Sequence, residues 1–392
     1  VKDGSIVKTL GPLVPADETL NHQIVDTFAT VSQTDRSWTE KICAQACARD
    51  GSLQVALGLG KYTNRGVMDA YAGVSRGVEQ WTVRASRSLA PDPETTSVGP
   101  IHYEVLEPLC RVRFALERND VQPIAFEWIF EGVVPPFLEH PEQHRSADGY
   151  RLDADIVRYH HSGIAHGWVE VDGRRFEIDP GHWVTTRDHS WGVRYGVGAP
   201  LEDVAPPRRP AGMATTVMWC PIVCERADGS RYALHWYYQR HALGGWHSVE
   251  FQGGVEHPDG RKEAFASVDP ELVVDPENRR FRRALLRFVM ADGSERPITV
   301  EAVSDTGFHL GAGLYFGYEG RYHGQWRGPL EVEGDHVPDC TTPSAARRLH
   351  QLRDCVVRVD DPVGGGIGYG NLQSIVAGAH PELGLTEETS FM

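Results

Sequence analysis

The sequence is short of several things, and each shortage closes off a class of function. No run of about 18 apolar residues occurs in the 392 residues, so no segment is predicted to cross a membrane as a helix. Basic residues are scarce: 39 Lys and Arg stand against 54 Asp and Glu, a net charge of −15. Such a surface repels phosphate backbones and anionic lipid, so neither nucleic acid nor membrane insertion is expected. The first residues, Val1-Lys2-Asp3-Gly4, carry no basic-then-apolar signal pattern, and a cytoplasmic location is expected. Cysteine is sparse and odd in number, at positions 43, 47, 110, 220, 224, 340 and 355, with no C-x-x-C pair. In a long chain without a signal peptide these are expected to be buried, reduced thiols. Cys43/Cys47 and Cys220/Cys224 are each four apart, on one face of a strand, but two thiols without partners make no zinc site.

Cofactor and nucleophile motifs are also missing. There is no H-E-x-x-H, and no G-x-S-x-G elbow that would make Ser190 an acyl-transfer nucleophile. The run Gly364-Gly365-Gly366-Ile367-Gly368-Tyr369-Gly370 lacks a surrounding βαβ unit, so it reads as a glycine-rich bend rather than a dinucleotide fingerprint. Eighteen histidines are present, but their spacing matches no standard ligand set. Neither a metal nor another cofactor is expected.

What is abundant is β-type punctuation. Asp-Gly occurs at 3–4, 50–51, 148–149, 172–173, 228–229, 259–260 and 292–293, often between alternating apolar segments. Such pairs predict two-residue hairpins, with both central residues at positive φ. Helical periodicity is limited to 17–31 and 344–354, with Asp17 and Ser344 as N-caps. Loops are expected at 89–99, 135–149, 200–212 and 334–343. With 41% hydrophobic residues and this length, the chain is expected to form two all-β domains, each an antiparallel barrel or sandwich. The Pro-rich segment Ala205-Pro206-Pro207-Arg208-Arg209-Pro210 places the boundary near 205, giving domains 1–205 and 206–392.

The densest chemistry lies in Arg187-Asp188-His189-Ser190-Trp191-Gly192-Val193-Arg194. On a strand, Asp188, Ser190 and Gly192 face one way, and His189, Trp191 and Val193 the other. An Asp kept partly dry beside an indole holds its proton toward neutral pH and can deliver it, with a neighbouring His to orient it or relay protons. Arg187 and Arg194 could hold carboxylates. The alternative stays open that Trp191 closes a barrel layer and Arg and Asp satisfy each other. Tyr159, His161, His235, Tyr237 and Trp246 complete the expected ligand-facing set, on strands rich in aromatics.

The run Arg187 to Gly192, with the Gly-rich hairpin before it (Gly163, Gly167, Asp172-Gly173), resembles the Asp-His-x-Trp-Gly signature of the carotenoid hydratase and AttH-like superfamily. Gly99–Pro108 and Gly58-Leu59-Gly60-Lys61-Tyr62 support the resemblance, which is to a bacterial branch. It implies two tandem lipocalin-like barrels. It also implies Asp188 as proton donor or its partner, His189 as orienting base, and Trp191 as the aromatic facing a cation. The expected activity is a cofactor-independent lyase of hydratase or dehydratase type. Its substrate would be an apolar terpenoid-, polyketide- or aromatic-like small molecule held between the barrels. An isomerase or cyclase of a polyene, or a non-catalytic carrier of a hydrophobic ligand, are the alternatives. A homodimer is left open.

Overall fold

The computed structural model describes residues 12–22, 33–145, 151–205 and 211–390. Two antiparallel sheets account for nearly all of it. The first contains β1 (Trp38–Ala48), β2 (Leu53–Tyr62), β3 (Val67–Arg76), β4 (Glu79–Ser88), β5 (Ser97–Val98), β6 (Ile101–Glu107), β7 (Arg111–Leu116), β8 (Ile124–Gly132), β9 (Phe137–Leu138), β10 (Glu142–Arg145), β11 (Leu152–Val171), β12 (Arg174–Ile178) and β13 (Trp183–Val193). The second contains β14 (Ala214–Arg226), β15 (Arg231–Leu243), β16 (Trp246–Glu256), β17 (Lys262–Val274), β18 (Phe281–Met290), β19 (Glu295–Ala302) and β20 (Phe308–His309). After β21 (Leu330–Val337) and the helix α1 (Pro343–Leu349), it is completed by β22 (Arg353–Asp361) and β23 (Gly366–Ala377).

The first sheet runs β21-β4-β3-β2-β1-β13-β11-β8-β7-β6-β5 and curls into a nearly closed barrel. The second closes fully, because β19 pairs with β22. The fold is therefore two tandem lipocalin-like barrels. The change of sheet falls between Val193 and Ala214, and residues 206–210 of the Pro-rich segment lie outside the described residues. One strand crosses that divide: β21, from the second half, pairs with β4 of the first sheet. This corrects the loop expected at 334–343, whose first four residues are strand.

Turn chemistry fixes the hairpins. Asp-Gly at 50–51, 172–173, 228–229, 259–260 and 292–293 each sits at a hairpin tip, while 3–4 and 148–149 lie outside the described residues. Only Asp172-Gly173 has both residues at positive φ, +50° and +71°. At the other four the Gly alone is left-handed, and the Asp carboxylate accepts the backbone N–H two residues on, as Asp228 does from Ser230 at 2.9 Å. This Asx arrangement corrects the expected two-residue form to a longer turn ending in a left-handed Gly. The helices are shorter than expected. Pro15–Glu18 is a single 3-10 turn, residues 23–31 lie outside the described residues, and α1 is capped by Thr342, not Ser344.

Each barrel has its own core, one around Leu57, Val83, Phe114 and Trp128, the other around Trp236, Leu286 and Phe288. The barrels then pack flank to flank. The outer faces of β1, β13 and β11 meet β14, β22 and β23 through Cys43, Cys47, Val184, Val223, Val356 and Ile375. β2 is buried at every position rather than alternately because its outer face is covered by Tyr71 and by β20, with Ala56 packed in the same cluster as Tyr71 and Phe308. Gly58 is required in the seam, since a Cβ there would lie 2.3 Å from the Tyr71 ring. All seven cysteines are free, and no helix among the described residues is long and apolar enough to cross a membrane.

Candidate functional site

Strand β13 lies between β1 and β11, so its register sets what each motif residue meets. Asp188 is paired with Cys43 and His160, Arg187 with Ala44 and His161, and His189 with Ile42 and Tyr159. Alternation then sends Arg187, His189 and Trp191 into the first barrel and Asp188 and Ser190 into the seam between barrels. The expected Asp-His-Trp trio is thus split across two faces of one sheet.

The inner face is a closed network around the N-terminal segment. Glu18 enters the barrel end and accepts both Arg187 guanidinium nitrogens, at 2.5 and 2.8 Å. It also accepts Tyr103 O–H at 2.7 Å, Tyr159 O–H at 2.9 Å and the Leu109 N–H at 2.6 Å. Burial works to raise the Glu18 pKa, but the Arg187 charge and hydrogen bonds outweigh it and hold the carboxylate well below its ordinary range. Arg187 is therefore committed to Glu18, which corrects the expectation that it binds substrate. His161 donates to the Val134 carbonyl at 2.7 Å, and burial keeps it neutral. Burial likewise pushes His189 down to about 3. Trp191 stacks on His22, with centroids 3.7 Å apart and planes at 8°, so its ring is covered.

The seam is different. Asp188 has no hydrogen-bond or ion-pair partner among the described residues, and part of its surface stays open to water although protein surrounds it. That combination describes a carboxyl enclosed by protein that keeps a water-accessible edge. Burial pushes its carboxyl up to about 6, against the pull of Arg158 and Arg194. Lys41 shares this face. Its Nζ lies 2.7 Å from His323 Nε2 and 3.7 Å above the Tyr315 ring, and burial, with Arg194 nearby, brings it down to about 7. Arg194 donates to Ser190 Oγ at 2.7 Å. Arg158 reaches Glu142 at 2.6 Å and Glu139 at 3.4 Å and, with Tyr237 and Gln252, lines a narrow crevice between the barrels. Half-buried Val217, Tyr315, Phe316 and Ala377 form an apolar wall in the same seam.

Farther along the seam, His160 bridges Glu139 and Glu256, at 2.9 Å to each. Burial lowers its pKa, but the two carboxylates prevail and lift it to about 9. His235 stacks on it at 3.7 Å, fully buried. Of the expected ligand-facing residues, Arg194, His235 and Tyr237 are in the seam, and Tyr159 and His161 belong to the inner network. Trp246 is 55% exposed at a hairpin tip, which removes it from the site. A separate hollow of about 720 Å³ at the far end of the first barrel, lined by Arg49, Arg76, Phe176 and Trp183, touches none of them. Two clusters bring three ligand-type atoms within 4.8 Å of one another: His22, Glu40 and His189 inside, and Glu139, His160 and His235 in the seam.

Reading the sequence alone missed Glu18, Lys41 and Glu139. For Lys41 the available signal was Glu40-Lys41 ahead of the largely apolar run Ile42–Ala48, because a charge in a strand buried on both sides needs a partner or a purpose.

Two antiparallel barrels set flank to flank, with ionisable groups gathered in their seam, define a tandem lipocalin-like barrel protein. The chain belongs to a family of unknown function, DUF8625, whose sequence model matches residues 13–386. No curated protein matches it. Among solved structures, it is similar to an AttH protein from Nitrosomonas europaea, 11% identical, over 86% of this chain and 91% of that one, at a TM-score of 0.49. It is also similar to kievitone hydratase from Nectria haematococca, 10% identical, over 92% and 95% of the two chains, TM-score 0.43. CghA bound to Sch210972 is 10% identical, over 92% and 94%, TM-score 0.46.

Proposed function

We propose that the seam is the catalytic site of an acid–base lyase, in which Asp188 moves a proton during addition or elimination of water on a largely apolar small molecule. One observation carries this reading: a carboxyl deep between the barrels with accessible surface and no partner among the described residues. A purely structural Asp at this depth would pair with Arg158 or Arg194, which act on it only through their charge, whereas this carboxyl keeps a water-accessible edge.

The surrounding charge selects the type of double bond. Lys41 and Arg158 are diagonal cross-strand neighbours of Asp188 on the same face, with backbone positions roughly 7–8 Å away by strand geometry, and both charges act on its carboxyl. Cations there oppose a carbocation and favour an enolate. Trp191, the expected cation shield, is covered by His22 on the other face. The substrate is therefore one whose double bond is conjugated to a carbonyl. In elimination, the Asp188 carboxylate takes the proton α to that carbonyl, Lys41 balances the enolate oxygen, and the C–O bond breaks as the same proton leaves with hydroxide as water. Addition runs these steps in reverse. The apolar body rests on Val217, Tyr315 and Phe316.

The test is proton exchange in D₂O with conjugated enones and β-hydroxy ketones, followed by mass spectrometry, for the wild type and Asp188→Asn. The expected result is α-deuteration in the wild type, reduced about 10²–10⁴-fold in the variant with ligand binding retained. Equal exchange in both proteins refutes the reading. Binding without exchange in the wild type assigns the seam to a carrier.

A further inference from the structure

We infer that the inner end of the first barrel is a binding site for a divalent transition-metal ion of the zinc class, held by His22, Glu40 and His189. These residues come from three places: the N-terminal segment, β1 and β13. Their ligand atoms already lie within 4.8 Å of one another.

Hydrogen-bond accounting fixes which nitrogen of His189 is free. Tyr159 has one O–H, and it donates to Glu18 Oε1, an anion that Arg187 grips from the other side. The phenol oxygen can then only accept from His189 Nδ1, 3.2 Å away, so Nδ1 carries the hydrogen and Nε2 a lone pair. That Nε2 is buried and has no hydrogen-bond partner among the described residues. His22 faces the same place. Its Nε2 is 3.3 Å from Asp17 Oδ1, and its Nδ1 is 3.2 Å from Glu40 Oε2. A proton on His22 would satisfy Asp17 and Glu40 but would leave the His189 lone pair empty. A metal ion satisfies His22, Glu40 and His189 at once.

The geometry suits an ion. The two imidazole centroids are 5.6 Å apart with planes at 85°. Two histidines at about 2.0–2.1 Å from one zinc, at a tetrahedral angle, have centroids roughly 5–6 Å apart. The 3.2 Å between His22 Nδ1 and Glu40 Oε2 is the edge expected of such a coordination sphere. Each histidine has its second nitrogen held from outside, by Asp17 and by Tyr159, as ligating histidines usually do. The seam cluster lacks these features: the His160 and His235 rings lie stacked at 3.7 Å, and both nitrogens of His160 are already engaged by carboxylates. Two His and one Glu leave a coordination position open, and His22 is only half-buried, so an ion can enter from solvent. Binding would tie the N-terminal segment to the barrel end.

The experiment uses the full chain stripped by chelator, titrated with Zn²⁺ by calorimetry and with Co²⁺ by visible absorption. The expected result is one ion per chain with Kd below about 10 µM, Co²⁺ d–d bands, and a rise in Tm on zinc addition. His22→Gln and Glu40→Gln should each weaken binding at least about tenfold and abolish the Tm rise, while Asp188→Asn leaves both intact. Should His189→Ala fail to fold, the His22 and Glu40 variants still decide the matter. Absence of stoichiometric binding, or binding indifferent to His22→Gln and Glu40→Gln, overturns the assignment.

Discussion

Asp354 sits at the heart of the seam with none of its surface exposed, and it gives the protein an unusual stability profile. Gln45, Asn371 and Gln373 donate to its oxygens, the last two at 3.3 and 3.1 Å. Burial nevertheless dominates, with Asp188 adding to it, and pushes the carboxyl up to about 7 from 3.8. The other ionisable groups in electrostatic reach are the thiols Cys43, Cys220 and Cys355 and the phenols Tyr71 and Tyr315, all neutral in this range. A raised carboxyl pKa means that between about pH 4 and 7 the native state holds a proton that the unfolded chain has released. The contribution of Asp354 to stability must then fall as pH rises through that window, by up to about 1.4 kcal/mol per pH unit and about 4 kcal/mol in all, and level off above it. Asp354→Asn is nearly isosteric, cannot ionise, and is accommodated when the amides of Gln45 and Gln54 flip together. The variant should lose this slope and unfold at higher denaturant than the wild type at pH 8, but not at pH 4. Guanidinium unfolding of both proteins from pH 4 to 8 measures it. If the wild-type-minus-variant difference does not change with pH, Asp354 is ionised in the folded seam and the burial argument is wrong.

Two further perturbations probe the packing around the site. Glu18→Ala strands Arg187 without a counter-charge in the barrel and leaves Tyr103, Tyr159 and the Leu109 N–H without their acceptor. It should cost about 3–5 kcal/mol in denaturant unfolding, and replacing both partners, Glu18→Met with Arg187→Met, should recover the part due to the stranded charge but not the part due to Tyr103, Tyr159 and the Leu109 N–H, which still lack an acceptor; a loss below about 1 kcal/mol contradicts the network. Gly58→Ala drives a methyl into Tyr71 at the seam and should destabilise by about 1–3 kcal/mol, with Tyr71→Leu in the same chain relieving it; a neutral Gly58→Ala would mean the flanks are not packed as described.

What the sequence made legible was local. Asp-Gly followed two positions later by a backbone donor located the hairpins, because a left-handed Gly and an Asx bond need nothing beyond four residues of chain. Alternation along 187–194 correctly separated Asp188 from His189 and Trp191. The error lay in then treating the three as one pocket. Which side of β13 is barrel interior and which is seam depends on where the second barrel packs, and no residue of β13 encodes that. The same holds for β21, whose partner β4 is more than 200 residues earlier in the chain. Glu18 was hidden for another reason: it belongs to a short 3-10 turn with no periodicity, and only the buried guanidinium of Arg187 gives it meaning.

The sign of the seam decides between chemistries that the motif alone leaves equal. A unit charge roughly 7–8 Å from a reacting centre, at an effective dielectric near 20, is worth about 2 kcal/mol. Below about pH 7, where Lys41 carries its proton, Lys41 and Arg158 together therefore disfavour a cationic transition state by about 4 kcal/mol and favour an anionic one by the same amount, a difference of about 8 kcal/mol. Glu139 and Glu142 pair with Arg158 and cancel part of its share. Even with half the total removed, the remaining 4 kcal/mol corresponds to about 10³ in relative rate. An isolated alkene protonated beside Asp188 would have to overcome that penalty with its best aromatic shield facing the wrong side of the sheet. A carbonyl-conjugated substrate gains it, so Lys41→Met should slow α-deuteration and shift relative reactivity toward unconjugated alkenes; no change in either would mean that the seam charge plays no part.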